Sequence, residues 1–135
     1  MNTPHPMPAR VMGILNTTPD SFSDGGHFNH IDRAVAHAHA MVDDGAFIID
    51  IGGESSRPGA DPVPVEVETS RVVPVVKAIR EFSDVLISVD TVKSDVAKAA
   101  IDAGANIIND ISAGRHDPRM FEVVRLSGAG MVLMH

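Results

Sequence analysis

The sequence has no cysteine, tryptophan or tyrosine and only five phenylalanines. Without thiols there is no disulfide framework, no thiolate nucleophile and no cysteine-type zinc site. With so few aromatics the core must be built from Val, Ile, Leu, Met and Ala, a composition that suits buried parallel strands. No window holds the roughly 18 to 20 uninterrupted apolar residues that cross a bilayer. The opening MNTPHPMPAR lacks the apolar centre of a signal peptide, so a cytoplasmic location is expected. Positive charge is also scarce: 11 Lys and Arg stand against 18 Asp and Glu, a formal charge of −7. No basic patch is segregated along the chain, so neither nucleic acid nor a membrane is an expected partner. Neither GxGxxG nor a P-loop occurs. What is present is a 135-residue chain, 44% hydrophobic, of single-domain size.

Short β-branched runs recur at Val11 to Leu15, Phe47 to Ile51, Val85 to Val89, Asn106 to Ile111 and Met131 to Met134. They read as strands, and their lack of alternation implies burial on both faces. Helical spacing lies between them. Ile31, Ala34, Val35, Ala38, Met41 and Val42 mark one buried face, with Asp32 as a candidate cap. Val72, Val75, Val76 and Ile79 mark a second around Pro74, where an interior proline costs about 3 kcal/mol, so this helix should start late or kink. Ser94 to Ala103 has a capping Ser in front and Gly104 behind, and Asp117-Pro118 opens a fourth helix that Gly128 closes. The segments Asp44 to Ile51 and Ala103 to Asp110 echo one another, each a helix stop followed by a strand. Two architectures use such βα repetition, the open doubly wound sheet and the closed eight-fold barrel. Length alone favours an open flavodoxin-like sheet. Polar side chains at several strand ends, Asn16, Asp50, Asp90, Asn109 and His135, favour the barrel, whose site forms at the C-terminal rim. A barrel takes about 250 residues, so this chain would supply about its first half, five strands and four helices.

Two loops are dense in polar groups. Asn16 to Gly26, NTTPDSFSDGG, carries one aromatic, Phe22, among oxygen donors, and is otherwise compatible with an ordinary βα turn. Asp50 to Ala60, DIGGESSRPGA, offers glycines for close backbone approach, the hydroxyls of Ser55 and Ser56, and the fork of Arg57, which suits phosphate or carboxylate. A surface Arg in a Pro-Gly turn is the plain alternative. Asp90 could accept paired hydrogen bonds from an amino-heterocycle, and the amide of Asn109 could both donate and accept. Helix capping competes with that role, evenly for Asp110 and less so for Asp90. His37 and His39 lie two apart on a helix, and no third ligand converges on them.

These two loops, with Ile87-Ser88-Val89-Asp90-Thr91 and Ile107-Ile108-Asn109-Asp110, resemble in order the signatures of the dihydropteroate synthase family, from about Val11 to the last residue. The resemblance implies a TIM barrel, present here as a partial domain over residues 1–135 with a flexible extension at 1–10. It implies a folate-pathway transferase joining 6-hydroxymethyl-7,8-dihydropterin diphosphate to 4-aminobenzoate, with release of diphosphate. It further implies catalytic roles for Arg57 and Asp24, substrate contacts from Phe22, Ser55, Ser56, Pro58, Asp90 and Asn109, and Mg²⁺ held by Asn16. The family is a sulfonamide target and typically homodimeric.

Two departures stand out. Ser56 occupies a place where Thr is common in the family, which keeps the hydroxyl and removes a methyl. The family's second half, with its further Asp, Lys, Arg and His groups and its dimer helices, is missing. A chain of these residues alone is expected to expose strand edges and to be weakly active or inactive. The competing readings are a pterin-binding module without diphosphate chemistry, a pterin-dependent methyltransferase, and an unrelated flavodoxin-like domain.

Overall fold

The structure, a computed structural model, describes residues 9–18, 30–55 and 59–133. Strand and helix alternate throughout: β1 Met12–Asn16, α1 His30–Asp43, β2 Ile48–Gly52, α2 Val65–Phe82, β3 Leu86–Asp90, α3 Ser94–Ala103, β4 Ile107–Asp110, α4 Arg119–Ser127 and β5 Gly130–Leu133. The strands form one parallel sheet in the order β1-β2-β3-β4-β5. A flavodoxin-like sheet reverses after its first strand and runs 2-1-3-4-5. Here nothing reverses, and each helix packs on the next, α1 on α2, α2 on α3 and α3 on α4. That wind is a (β/α)8 barrel's, of which the chain carries five strands and four helices.

The two faces of the sheet differ in chemistry. Leu15, Ile49, Ile51, Ile87, Val89 and Ile108 point to the helices and are almost wholly buried. They meet Ala34, Ala38, Val72, Val76, Ile79, Ala97, Ala100 and Met120 from the helix layer in one core. The alternate residues face away from the helices and include Ile14, Asn16, Asp50, Ser88, Asp90 and Asn109. Burial on both faces was expected from the sequence, but exposure alternates along β1 and Ile14 is 63% exposed. Period-two alternation is hidden in the sequence because apolar residues occupy part of the outward row as well.

Helix α2 overturns the late start, one of the two outcomes expected of Pro74. It starts nine residues before Pro74 and runs through it. The buried stripe of Val72, Val75, Val76 and Ile79, at about 1.5–3 kcal/mol per aliphatic side chain, outweighs the proline's cost of about 3 kcal/mol. Capping also differs in detail. Asp32 lies inside the first turn of α1. Ser94 is the first residue of α3 rather than its cap, and its N–H donates to Asp117 Oδ2 at 2.8 Å. Asp117 Oδ1 accepts the Arg119 N–H at the start of α4, where the cap position is Pro118. One carboxylate thus serves two helices. The hydrogen bond with the Ser94 side chain, followed by those to backbone and Arg119, holds Asp117 well below the usual carboxylate range. Gly104 (φ 127°) and Gly128 (φ 75°) end α3 and α4 at backbone angles that favour glycine.

Opposite the site end, Arg80 gathers the N-terminal ends of β3 and β4. Its guanidinium donates to Gly104 O (3.0 Å), Ser83 O (3.2 Å), Val85 O (2.6 Å) and Asn106 Oδ1 (2.5 Å). Asn106 Oδ1 also accepts the Ile87 N–H. No helix among the described residues is long and apolar enough to cross a membrane. Arg80→Met keeps the aliphatic stem and strands three backbone carbonyls, Asn106 Oδ1 keeping the Ile87 N–H, so it should cost about 3 kcal/mol in urea unfolding. Lys98→Met, which breaks the exposed pair with Asp102, should cost under about 0.5 kcal/mol.

Candidate functional site at the strand ends

Register determines which polar side chains meet. Asn16 pairs with Gly52, Gly52 with Asp90, and Asp90 with Asn109. Residues in register across parallel strands share a face, so Asn16, Asp90 and Asn109 form one row at the C-terminal rim, away from the helices. One layer deeper, Ile14, Asp50, Ser88 and Ile107 form a second row. A hollow of about 150 Å³ opens there, lined by Ile14, Leu15, Asn16, Asp50, Gly52, Glu54, Ser55 and Asp90. A larger one of about 240 Å³ lies between α3 and α4 among Ile101, Val123 and Leu126. It has little polar lining and stands apart from this chemistry.

Asn16, Ser55 and Asp90, three of the residues singled out from the sequence, therefore line one hollow, with Asn109 beside Asp90. Phe22, Asp24, Ser56, Arg57, Pro58 and His135 lie outside the described residues. Asp110, left open between site and cap, turns to the helix side. It is fully buried and accepts from the Ser112 N–H, the Ser112 hydroxyl and the Gly114 N–H, so it builds the turn after β4.

The site concentrates acid groups where water is scarce. Asp50 is 5% exposed, and its carboxyl is raised by burial against the lowering effect of hydrogen bonds from Ser88 and Asn109. The Asn109 amide donates there, while its Oδ1 is buried with no hydrogen-bond partner. A buried acceptor without a donor is costly, and this one stands in the rim row. Asp90 is pushed up to about 6, first by burial, then by the charges of Asp50, Glu68 and Asp110.

Sequence reasoning missed a second cluster, Glu54, Glu68 and Lys93. Glu68 sits on the buried stripe of α2, fully enclosed. Lys93 Nζ lies 2.6 Å from Glu68 Oε1 and 2.9 Å from Glu54 Oε2. The one available signal was an acid four residues before Val72 on an otherwise apolar face. Close packing fixes the loop base above it: a Cβ on Gly53 would stand 2.8 Å from Val72 Cγ2 and 3.1 Å from Glu68 O.

For a divalent cation, no group of three or more His, Asp or Glu converges among the described residues. Asn16 Oδ1 is a hard oxygen donor at the rim, accepting from the Thr18 N–H (2.8 Å) and hydroxyl (2.6 Å). Mg²⁺ commonly retains several waters and takes one or two protein oxygens together with substrate phosphates. Asn16 Oδ1 already accepts the two hydrogen bonds its lone pairs allow, so an ion bound there would displace a Thr18 contact, and the described residues offer no all-protein cage.

Known proteins share this fold. A family described as pterin binding enzyme matches residues 12–135, and the chain belongs to that family. It is 57% identical over 125 residues to the dihydropteroate synthase of Bacillus subtilis, covering 93% of this chain and 44% of the relative. The Xanthomonas albilineans dihydropteroate synthase solved with 4-aminobenzoic acid superposes with a TM-score of 0.88 at 49% identity, over 93% of this chain and 46% of that one. The Clostridium difficile enzyme, solved in the presence of pteroic acid, gives 0.84 at 49%, over 90% and 46%. The chain thus spans about half the length of the relatives it matches.

The raised acid has a consequence for stability. A carboxyl whose folded value lies above its unfolded one favours the fold fully below about 4 and loses that contribution as pH rises through about 6. The rise from 3.8 to about 6 is worth at most about 3 kcal/mol, and water on the open side of Asp90 reduces it. Asp90→Asn should therefore stabilise the chain by about 1–2 kcal/mol at pH 8 and have little effect at pH 4, measured by urea unfolding.

Proposed function

We propose that this chain forms the pterin-binding portion of a dihydropteroate synthase, working in the cytoplasm on a pterin diphosphate and 4-aminobenzoate. The observation that carries the proposal is the single hollow shared by Asn16, Ser55 and Asp90, with Asn109 in register beside Asp90. The relatives support it through the ligands in their names, 4-aminobenzoic acid and pteroic acid.

In this reading Asp90 accepts two hydrogen bonds from the amino-pyrimidinone edge of the pterin, and the free Oδ1 of Asn109 takes a third N–H. Asp50, itself held by the Ser88 hydroxyl, accepts from the Asn109 amide and turns the amide oxygen to the ligand. The amine nitrogen of 4-aminobenzoate attacks the methylene carbon of the pterin, the carbon–oxygen bond breaks, diphosphate departs with the electron pair, and the amine gives up a proton. No nucleophilic side chain is needed. Positioning the amine in line and excluding water account for the chemistry this half must supply. Asn16 would hold Mg²⁺, which when bound offsets charge on the diphosphate. Arg57 is assigned to the diphosphate side, Ser56 to a substrate contact, Phe22 and Pro58 to the aminobenzoate, and Asp24 to the reacting groups.

The test is a chimera in which residues 12–135 replace the corresponding part of the Bacillus subtilis relative. It should form dihydropteroate. Asp90→Ala should lower kcat/KM by about a hundredfold, the loss of about 3 kcal/mol of charge-assisted hydrogen bonding, while Asp32→Ala changes it less than about twofold. Pterin affinity should also weaken as pH falls through about 6, because a protonated Asp90 no longer accepts both bonds. Equal activity of the two variants would remove Asp90 from the site.

A further inference from the structure

We infer that Lys93, gripped between Glu54 and Glu68, is a positioning residue that fixes the base of the β2–α2 loop, and with it Ser55, relative to Asp90. The inference rests on the pterin-site reading and adds to it a residue outside the hollow.

The geometry is specific. Glu54 Oε2 accepts both Lys93 Nζ at 2.9 Å and the Val63 N–H at 2.8 Å. Glu54 leads into the loop after β2, and Val63 lies nine residues on, just ahead of α2. One carboxylate oxygen therefore ties both ends of that loop together. Lys93 follows Asp90 by three residues, in the loop after β3. The ammonium thus links the strand end that carries Asp90 to the loop that carries Ser55, and both residues line the same hollow. Arg71 adds a second tie from α2 to Gly53 O at 3.0 Å.

Fold stability does not account for the cluster. Glu68 is fully buried, and its Oε2 has no hydrogen-bond partner. A buried ion pair with an unsatisfied oxygen is commonly replaced by apolar side chains without loss of stability. An apolar pair, however, could not hold the Glu54 carboxylate. Burial opposes charge on Glu54, but the Val63 N–H and Lys93 outweigh it and keep it ionised. On Lys93 burial is likewise outweighed, by Glu68 and then Glu54.

Removing Lys93 alone would leave Glu68 charged and uncompensated in the core, so the informative variant is the pair Glu68→Leu with Lys93→Met in the full chain. Its urea midpoint should equal or exceed that of the parent. Exchange of the Val63 amide should quicken at least tenfold while Ile51 and Val89 keep their protection. Affinity for 6-hydroxymethylpterin diphosphate, read by calorimetry, should fall about tenfold. Glu54→Ala in the parent should reproduce the exchange and affinity losses. Unchanged Val63 protection in the double variant, or lost protection with full affinity, overturns the inference. If neither the parent nor the Bacillus subtilis chimera that carries residues 12–135 binds pterin diphosphate, the functional reading fails instead, and Val63 exchange still decides whether Lys93 fixes the loop.

Discussion

In-register parallel pairing is the constraint on which the rest depends. Because Asn16, Gly52, Asp90 and Asn109 are successive partners across four strands, their outward direction is a single fact. A slip of one residue towards the strand start in β1, β3 or β4 would send Asn16, Asp90 or Asn109 into the helix layer and Leu15, Val89 or Ile108 into the site. Register in turn is held from behind, by Leu15, Ile49, Ile51, Ile87, Val89 and Ile108, which fit the helices only in this phase. The core has no chemistry of its own, yet it decides where the chemistry stands.

That arrangement carries an energetic cost. Asp50 and Asp90 are both raised by burial, and Glu68 and Asp110 add negative charge nearby. Polar groups held together against their own preference are characteristic of binding and catalytic sites, where stability is given up for function. The clustered acids, the unpartnered oxygen of Asn109 and the orphan oxygen of Glu68 are all at this rim or just beneath it. At the other end, the four acceptors of Arg80 are fully engaged and serve the fold. This division matches the barrel rule that the C-terminal rim works and the N-terminal rim stabilises.

Much of this was legible in the sequence, for identifiable reasons. The strands and helices announce themselves by period and by Gly104, Pro118 and Gly128, and polar residues at the ends of apolar runs marked Asn16, Asp90 and Asn109. What pattern alone could not supply were partnerships across distance. Ser88 looked like an ordinary strand residue until register placed it against Asp50. Glu54 and Lys93 stand 39 positions apart, and Glu68 breaks an apolar stripe for a reason visible only once Lys93 is beside it. The late start expected of α2 failed because a local proline penalty is smaller than the burial of the whole stripe. Double burial holds along the middle of β2 and β3 and fails along β1, because composition does not say which alternate residues are covered.

The most direct measurement is nuclear magnetic resonance of the isotopically labelled chain during titration with 6-hydroxymethylpterin. The account predicts that the largest perturbations fall on the row of Asn16, Gly52, Asp90 and Asn109, with the Asn109 side-chain amide among them. Perturbations centred instead on Ile101, Val123 and Leu126, between α3 and α4, would contradict it.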